Sequence, residues 1–507
     1  MFIKLFSASV LGLECEPIEI EVDIAGSWPG FQIIGLPDAA IQEAKERIRT
    51  VWKNTGLKFP NNHRVVINLA PADVRKEGAA YDLPMAVGMY LAQNKKNFND
   101  LEKCLFVGEL ALDGSLRHTN GILPIAIFAA KQGFNKIFVP LENAHEAALI
   151  NQVEVIPVKD FSKLIEHINL RQNINPMKKP DIKNLFKNIT YDSDMEMVKG
   201  QEYAKRALEI AASGGHNVLL NGPPGSGKTL LARTLPSILP KMTVDEAIEI
   251  TKIYSISGCL PNNKPLVTER PFRSPHHSAS GVSLVGGGKF PKPGEISMAH
   301  RGVLFLDEFP EFPRMVLENL RQPLEDGIIT ISRAQGTVTF PARFTLVASQ
   351  NPCPCGFLSD PEKRCVCSQA QILNYQKKIS GPLLDRIDLH VEVPRINFEK
   401  LNNSETGEKS KIIRKRVEKA RLIQNKRFEK SNIVTNSEMK NREIKKFCSL
   451  DDSSIDLLKN AVQKMQLSAR SYFRILKISR TIADLDEEKE IKVQHIAEAL
   501  QYRPKVD

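Results

Sequence analysis

The stretch Val218-Leu219-Leu220-Asn221-Gly222-Pro223-Pro224-Gly225-Ser226-Gly227-Lys228-Thr229-Leu230-Leu231-Ala232-Arg233 decides the reading of this chain. An apolar run that reads as a buried strand feeds an eight-residue Gly-rich loop, and the loop opens a helix; a phosphate-binding loop needs that context. Glycine lets successive backbone N–H groups turn toward phosphate oxygens, Lys228 can reach the β and γ oxygens, and the Thr229 hydroxyl sits at a helix N-terminus where it can ligate Mg²⁺. Gly222, Pro223, Pro224, Gly225, Ser226, Gly227, Lys228 and Thr229 are therefore the expected nucleotide-binding residues, with ATP and Mg²⁺ as cofactors. A Gly-rich loop arising by chance is the bland alternative, and the flanking strand and helix argue against it.

Hydrolysis needs a second strand that carries carboxylates. Gly302-Val303-Leu304-Phe305-Leu306-Asp307-Glu308 supplies one, four apolar residues with an acidic pair at the strand's C-terminal edge. Asp307 is placed to hold Mg²⁺, and Glu308 to orient and deprotonate the attacking water.

At 507 residues the chain has room for about three or four domains. It carries 70 basic against 59 acidic residues, a net charge of +11 that favours polyanionic partners without establishing them. The first residues lack a small-residue cleavage site before Glu14 and Glu16, so they read as a first strand and not as a secretory signal. No run approaches the ~20 apolar residues of a membrane span, and the expectation is a cytoplasmic protein without membrane contact.

Residues 1–168 alternate strand-like segments (Ile18 to Ile24, Phe31 to Ile34, Val65 to Leu69, Lys136 to Val139) with a helix from Ala39 to Asn54, an α/β domain with no phosphate loop. Residues 169–190, polar and basic with Pro176 and Pro180, read as a linker. The ATPase core spans 191–396 on a parallel sheet, and 397–507 reads as a helical lid whose first part, Asn397 to Ser410, is polar.

Four cysteines lie within fifteen residues as Cys353-Pro354-Cys355 and Cys365-Val366-Cys367. In a cytosolic chain such density favours a tetrahedral thiolate site for Zn²⁺ over disulfides, with unligated thiols as the alternative because the spacing is not the commoner Cys-x₂-Cys. Ile328 to Arg333 and Thr337 to Phe340 read as a β-hairpin around Arg333-Ala334-Gln335-Gly336. From Lys409 to Lys430, ten basic side chains face two acidic ones along a helical pattern, which is either a phosphate-binding face or a solvated one.

Beyond these elements, Arg270-Pro271-Phe272-Arg273-Ser274-Pro275-His276-His277, Gly286-Gly287-Gly288, Pro293-Gly294-Glu295 and Ala299-His300-Arg301-Gly302 lead into the acidic strand. Together they resemble the magnesium-chelatase-like AAA+ ATPases, and with the N-terminal region the ComM/YifB branch of that group, over nearly the whole chain. The resemblance implies a ring, usually a hexamer, that drives branch migration of DNA in recombination and so works beside recombination proteins. It further implies Asn351 as sensor 1, Arg386 in Gly381-Pro382-Leu383-Leu384-Asp385-Arg386 as an arginine finger, and Arg470 as the lid arginine, with Arg474 one turn away as its competitor. It places the hairpin at the pore, where Arg333 could meet a DNA phosphate, an ordinary turn arginine being the alternative.

The N-terminal domain resembles the proteolytic domain of Lon through Arg75-Lys76-Glu77-Gly78-Ala79-Ala80 and Val107-Gly108-Glu109-Leu110-Ala111-Leu112-Asp113-Gly114. A Ser–Lys dyad is needed for that chemistry. Ala80 and Pro124 stand where the dyad should be, so the domain is expected to be proteolytically inactive. Two rival functions remain: a motor subunit driving Mg²⁺ insertion into a porphyrin, to which only the later two-thirds of the chain is expected to be similar, and a non-motor scaffold, against which Lys228, Asp307, Glu308 and Arg386 argue.

Overall fold

The computed structural model describes residues 1–504 except 27, 75, 77, 97–99, 188, 190, 262–263, 289–290, 334–335, 359, 361, 396–406 and 432, and gives no side-chain placement for 333 and 336. The chain forms two compact units, one of Met1–Asn188 with Val244–Thr268, the other of Ile189–Thr243 with Glu269–Asp507. This grouping differs from the linear division in three places, the first being that residues 169–188, read as most of a linker, fall in the first unit. Residues 244–268, assigned from the sequence to the ATPase core, belong to the first unit, and the C-terminal helices share a unit with the core.

In the first unit, Phe2–Leu11 and Glu14–Ala25 pair antiparallel at the centre of a seven-stranded sheet. The sheet order is Gly30–Ile34, Arg64–Ala70, Glu14–Ala25, Phe2–Leu11, Cys104–Phe106, Lys136–Pro140, Glu154–Val158. Period-two alternation sets which face is covered: Ile18, Ile20 and Val22 are fully buried while Glu19, Glu21 and Asp23 are not. The helix Asp82–Asn94, buried along nearly its whole length, packs on these strands. It lies so close that a Cβ on Gly88 would come within 2.6 Å of Val22 Cγ2. At its start the buried Asp82 takes a two-pronged contact from Arg47, at 2.7 and 3.0 Å, and the Leu110 N–H at 3.2 Å. Burial pushes the Asp82 carboxyl up to about 6 even though Arg47 pulls it down.

The segment 244–268 joins this unit through the helix Val244–Ser257, which packs on Ile122–Lys131, with the Gly121 N–H bonded to Ser255 O at 3.0 Å. Ala80 lies in the short helix Ala79–Tyr81 and Pro124 is buried in Ile122–Lys131, so neither position offers a nucleophile or a base.

The second unit is built on five parallel strands in the order Phe272–Arg273, Val303–Leu306, Thr345–Gln350, Val218–Asn221, Leu389–Glu392. Its central strands are apolar on both faces, as a parallel sheet covered on both sides requires. Val218, Leu220, Phe305 and Val347 share one hydrophobic core with Ile413, Val417, Ile475, Ile482 and Leu500 of the C-terminal helices. Those helices run over Ser410–Phe428, Asn441–Phe447, Asp452–Met465, Ala469–Leu485 and Val493–Gln501.

On the basic helix Ser410–Phe428 the lysines Lys411, Lys415, Lys419 and Lys426 stay exposed, while three of its arginines are engaged within the unit. Arg416 pairs with Glu209 and Glu408, Arg421 bonds Ala212 O, and Arg427 pairs with Asp484. The strands Ile328–Arg333 and Gly336–Pro341 form the hairpin, with Arg333 opposite Gly336 closing the ladder. The four residues read as a turn therefore include a paired couple. The Arg333 side chain and most of the polar stretch from Asn397 lie outside the described residues. Among the described residues no helix is long and apolar enough to cross a membrane.

Candidate active site

Parallel strands direct their C-terminal ends to one edge, where loops converge at the point at which strand order reverses. Here the loops after Val218–Asn221, Val303–Leu306 and Thr345–Gln350 enclose a cleft of about 350 Å³ lined by Pro224 to Thr229, Asp307, Glu308 and Ser349 to Asn351. Three segments distant in sequence thus meet in one site. Gly222 is pinned by its N–H on Gln350 O at 3.2 Å, and any Cβ there would stand 2.2 Å from Val393 O. Gly225 and Gly227 take φ of +77° and +90°, a left-handed backbone open to glycine and costly to other residues.

Lys228 begins the helix Lys228–Ile238, and its ammonium is buried. It donates to Gly222 O at 2.7 Å, Pro223 O at 2.8 Å and Asn351 Oδ1 at 3.2 Å. Burial lowers its pKa, with the Asp307 charge opposing that fall. Thr229 Oγ1 donates to Asp307 Oδ2 at 2.9 Å. Asp307 Oδ1 accepts from the Ser349 hydroxyl and, at 3.1 Å, from the Glu308 N–H. Glu308 adopts φ +51°, an uncommon conformation for a side chain of this kind, which turns its carboxylate out of the strand. Glu308 Oε2 lies 3.2 Å from His277 Nδ1.

These groups fit a triphosphate with its metal. The loop offers backbone donors, Lys228 a cation, and Thr229 with Asp307 two hard oxygens side by side, the donor type Mg²⁺ takes. Bound Mg²⁺ would draw charge from the phosphate oxygens. Glu308, exposed at the cleft mouth, has a free oxygen to accept a proton from water, and Asn351, fixed by Lys228, can present its amide to the γ-phosphate.

Two expected residues stand outside the lining of this cleft. Arg386 bonds Pro382 O at 2.5 Å and pairs with Glu325, while its buried Nε has no hydrogen-bond partner among the described residues. Arg470 is 65 % exposed and touches Asp385 Oδ2 at 3.4 Å. Arg474 is buried and donates to Asp385 O at 2.7 Å, so both helix arginines grip the residue next to Arg386. Sequence reasoning missed Ser349 as a site residue and missed that His277 would meet Glu308. Ser349 lies two positions before Asn351 on the same strand, whereas His277 stands in the Arg270–His277 motif, which marked it as a loop residue without pointing to Glu308.

Cys353, Cys355, Cys365 and Cys367 converge immediately beyond Asn351, their sulfurs all within 4.8 Å of one another. The N–H groups of Phe357 and Val366 bring the Cys355 thiol down to about 6. Cys365 moves the other way, to about 12: the Cys367 N–H would lower it, but burial and the Cys355 and Cys353 sulfurs outweigh that donor.

A phosphate loop, an acidic strand and a polar strand-end residue on a five-stranded parallel sheet with a helical C-terminal region define a P-loop ATPase of the AAA+ class. Family models for the magnesium chelatase subunit ChlI match residues 194–401, and for its C-terminal region 407–503. A model described as subunit ChlI of Mg-chelatase also matches 20–143, which corrects the expectation that chelatase likeness is confined to the later two-thirds. The chain is 43 % identical over 505 residues to the competence protein ComM of Haemophilus influenzae, covering 99 % of this chain and 97 % of that one. It is 41 % identical over 500 residues to YifB of Salmonella typhimurium, covering 98 % and 96 %. Lon protease 2 of Bacillus subtilis is similar over 126 residues at 28 % identity, 24 % of this chain and 22 % of that protein. The chain belongs to the ComM/YifB family of magnesium-chelatase-like AAA+ ATPases, a family that implies ATP and Mg²⁺ as cofactors.

Proposed function

We propose that this chain is an ATP-driven DNA motor that assembles as a ring of six copies, by family analogy, and drives branch migration during recombination in natural transformation. The observation that carries the reading is the match along almost the entire length to a protein named for competence, a process whose substrate is DNA. The position of Arg386 supports assembly: it stands outside the cleft of its own chain, so a neighbouring copy would receive it. The hairpin Ile328–Arg333 with Gly336–Pro341 is the element that would touch DNA, and the net charge of +11 suits a polyanion. Such a motor would act in the cytoplasm alongside recombination proteins.

A chelatase-type motor is the second reading, favoured by the three chelatase family models that together span most of the chain. ATP turnover measured at low salt with single-stranded, duplex and four-way-junction DNA separates the two. Junction DNA should bind with an affinity that falls steeply with salt and should accelerate turnover. No binding and no acceleration would leave the chelatase-type reading in place.

A further inference from the structure

The geometry points to a four-thiolate zinc site, Cys353, Cys355, Cys365 and Cys367, that holds the segment leaving Asn351 against the phosphate loop and thereby positions the catalytic cleft. Cys353 Sγ lies 3.4 Å from Cys355 Sγ and 3.7 Å from Cys365 Sγ, and Cys355 Sγ lies 3.6 Å from Cys365 Sγ. Four sulfurs around one tetrahedral ion at ~2.3 Å would stand about 3.8 Å apart, so the spacing suits a single small ion. Disulfides would need about 2.05 Å, and all three of these separations are far beyond that. Among the described residues this is the one group of three or more cysteine, histidine or acidic side chains gathered closely enough to share a metal.

The cluster is coupled to the cleft through Gly356. Its N–H closes a turn on Cys353 O at 3.0 Å, and its φ of +84° is a left-handed conformation. A Cβ on Gly356 would come within 2.6 Å of Pro224 Cδ in the phosphate loop and 3.8 Å of Asn351 Cγ. The turn that carries two of the thiolates therefore rests on the loop that binds the triphosphate, on the same side as the asparagine that contacts Lys228. These cysteines are positioning residues: with their sulfurs shared around one ion the turn has one shape, and without it Asn351 and Pro224 lose their backing. The inference stands on sulfur geometry and holds whether or not the motor acts on DNA.

Elemental analysis of the full chain, purified without chelator or added metal, should find about one zinc per chain, and cadmium exchange should produce the ultraviolet thiolate-to-metal absorption. Replacing Cys365→Ser together with Cys367→Ser should abolish bound zinc and lower kcat for DNA-independent ATP hydrolysis about 10- to 100-fold, while ATP affinity stays within a few-fold. Gly356→Ala should keep its zinc, since all four thiols remain, yet lower kcat because the added methyl meets Pro224; this variant carries the test should the double replacement fail to fold. Negligible zinc in the parental protein with ordinary ATPase activity, or iron with sulfide in its place, overturns the site. Zinc present but kcat undiminished in Gly356→Ala overturns the positioning role.

Discussion

His277 Nδ1 stands 3.2 Å from Glu308 Oε2, and both side chains are partly exposed, 36 % and 56 %. The contact occupies one oxygen of the carboxylate that faces the cleft. An exposed pair of this kind is worth on the order of 1 kcal/mol or less, which corresponds to about a fivefold change in population. His277→Ala should therefore raise basal ATP turnover about two- to fivefold with KM for ATP unchanged. Steady-state kinetics without DNA check this, and an unchanged kcat would show that the contact has no hold on the glutamate.

Glu308→Gln keeps the shape of the side chain and loses the proton acceptor. ATP should bind with near-parental affinity while hydrolysis falls about 10²- to 10⁴-fold. Lys228→Ala removes the buried cation of the loop and should lose ATP binding itself. Fluorescent-nucleotide titration beside a phosphate-release assay separates the two defects.

Arg386→Ala should bind ATP normally and lose about 10³-fold or more in turnover, as expected of a finger that neutralises transition-state charge across an interface. Mixed with Lys228→Ala protein it should recover part of the activity, because one interface in a mixed assembly pairs an intact loop with an intact finger. Absence of recovery in assemblies shown to contain both variants would place Arg386 in a role within its own chain. Asp385, held by Arg470 and Arg474, bears on the same step. Arg474→Ala should weaken ATP turnover more than Arg470→Ala, since the buried arginine holds the backbone beside the finger.

His390, in the strand Leu389–Glu392, has a buried Nε2 with no hydrogen-bond partner among the described residues. Burial, with Arg474 adding to it, pushes its pKa down to about 4 from an unfolded value of about 6.5. Between those values the unfolded chain binds the proton and the folded one does not. The contribution to stability is full above about pH 6.5 and is lost as pH falls toward 4. His390→Leu should flatten that decline, so that the drop in Tm from pH 7.5 to pH 5 is smaller than in the parental protein.

Much of this molecule was determined by local sequence. The phosphate loop and the acidic strand were legible because each combines an apolar run with a fixed set of polar residues, and short-range periodicity marks such units wherever the rest of the chain goes. The helix Ala39–Asn54 and the alternation of Ile18, Ile20 and Val22 were legible for the same reason. Only the tertiary structure decided which distant residues meet. Nothing in the pattern of Val244–Ser257 says that it packs on Ile122–Lys131, because an amphipathic helix advertises an apolar face and not its partner. Likewise nothing in the charge along Ser410–Phe428 says that Arg416 and Arg427 will meet Glu209 and Asp484 from distant segments. The contacts of Ser349 with Asp307, of His277 with Glu308 and of Gly356 with Pro224 belong to the same class. Each depends on the order in which parallel strands are laid side by side, a long-range property that no single segment encodes.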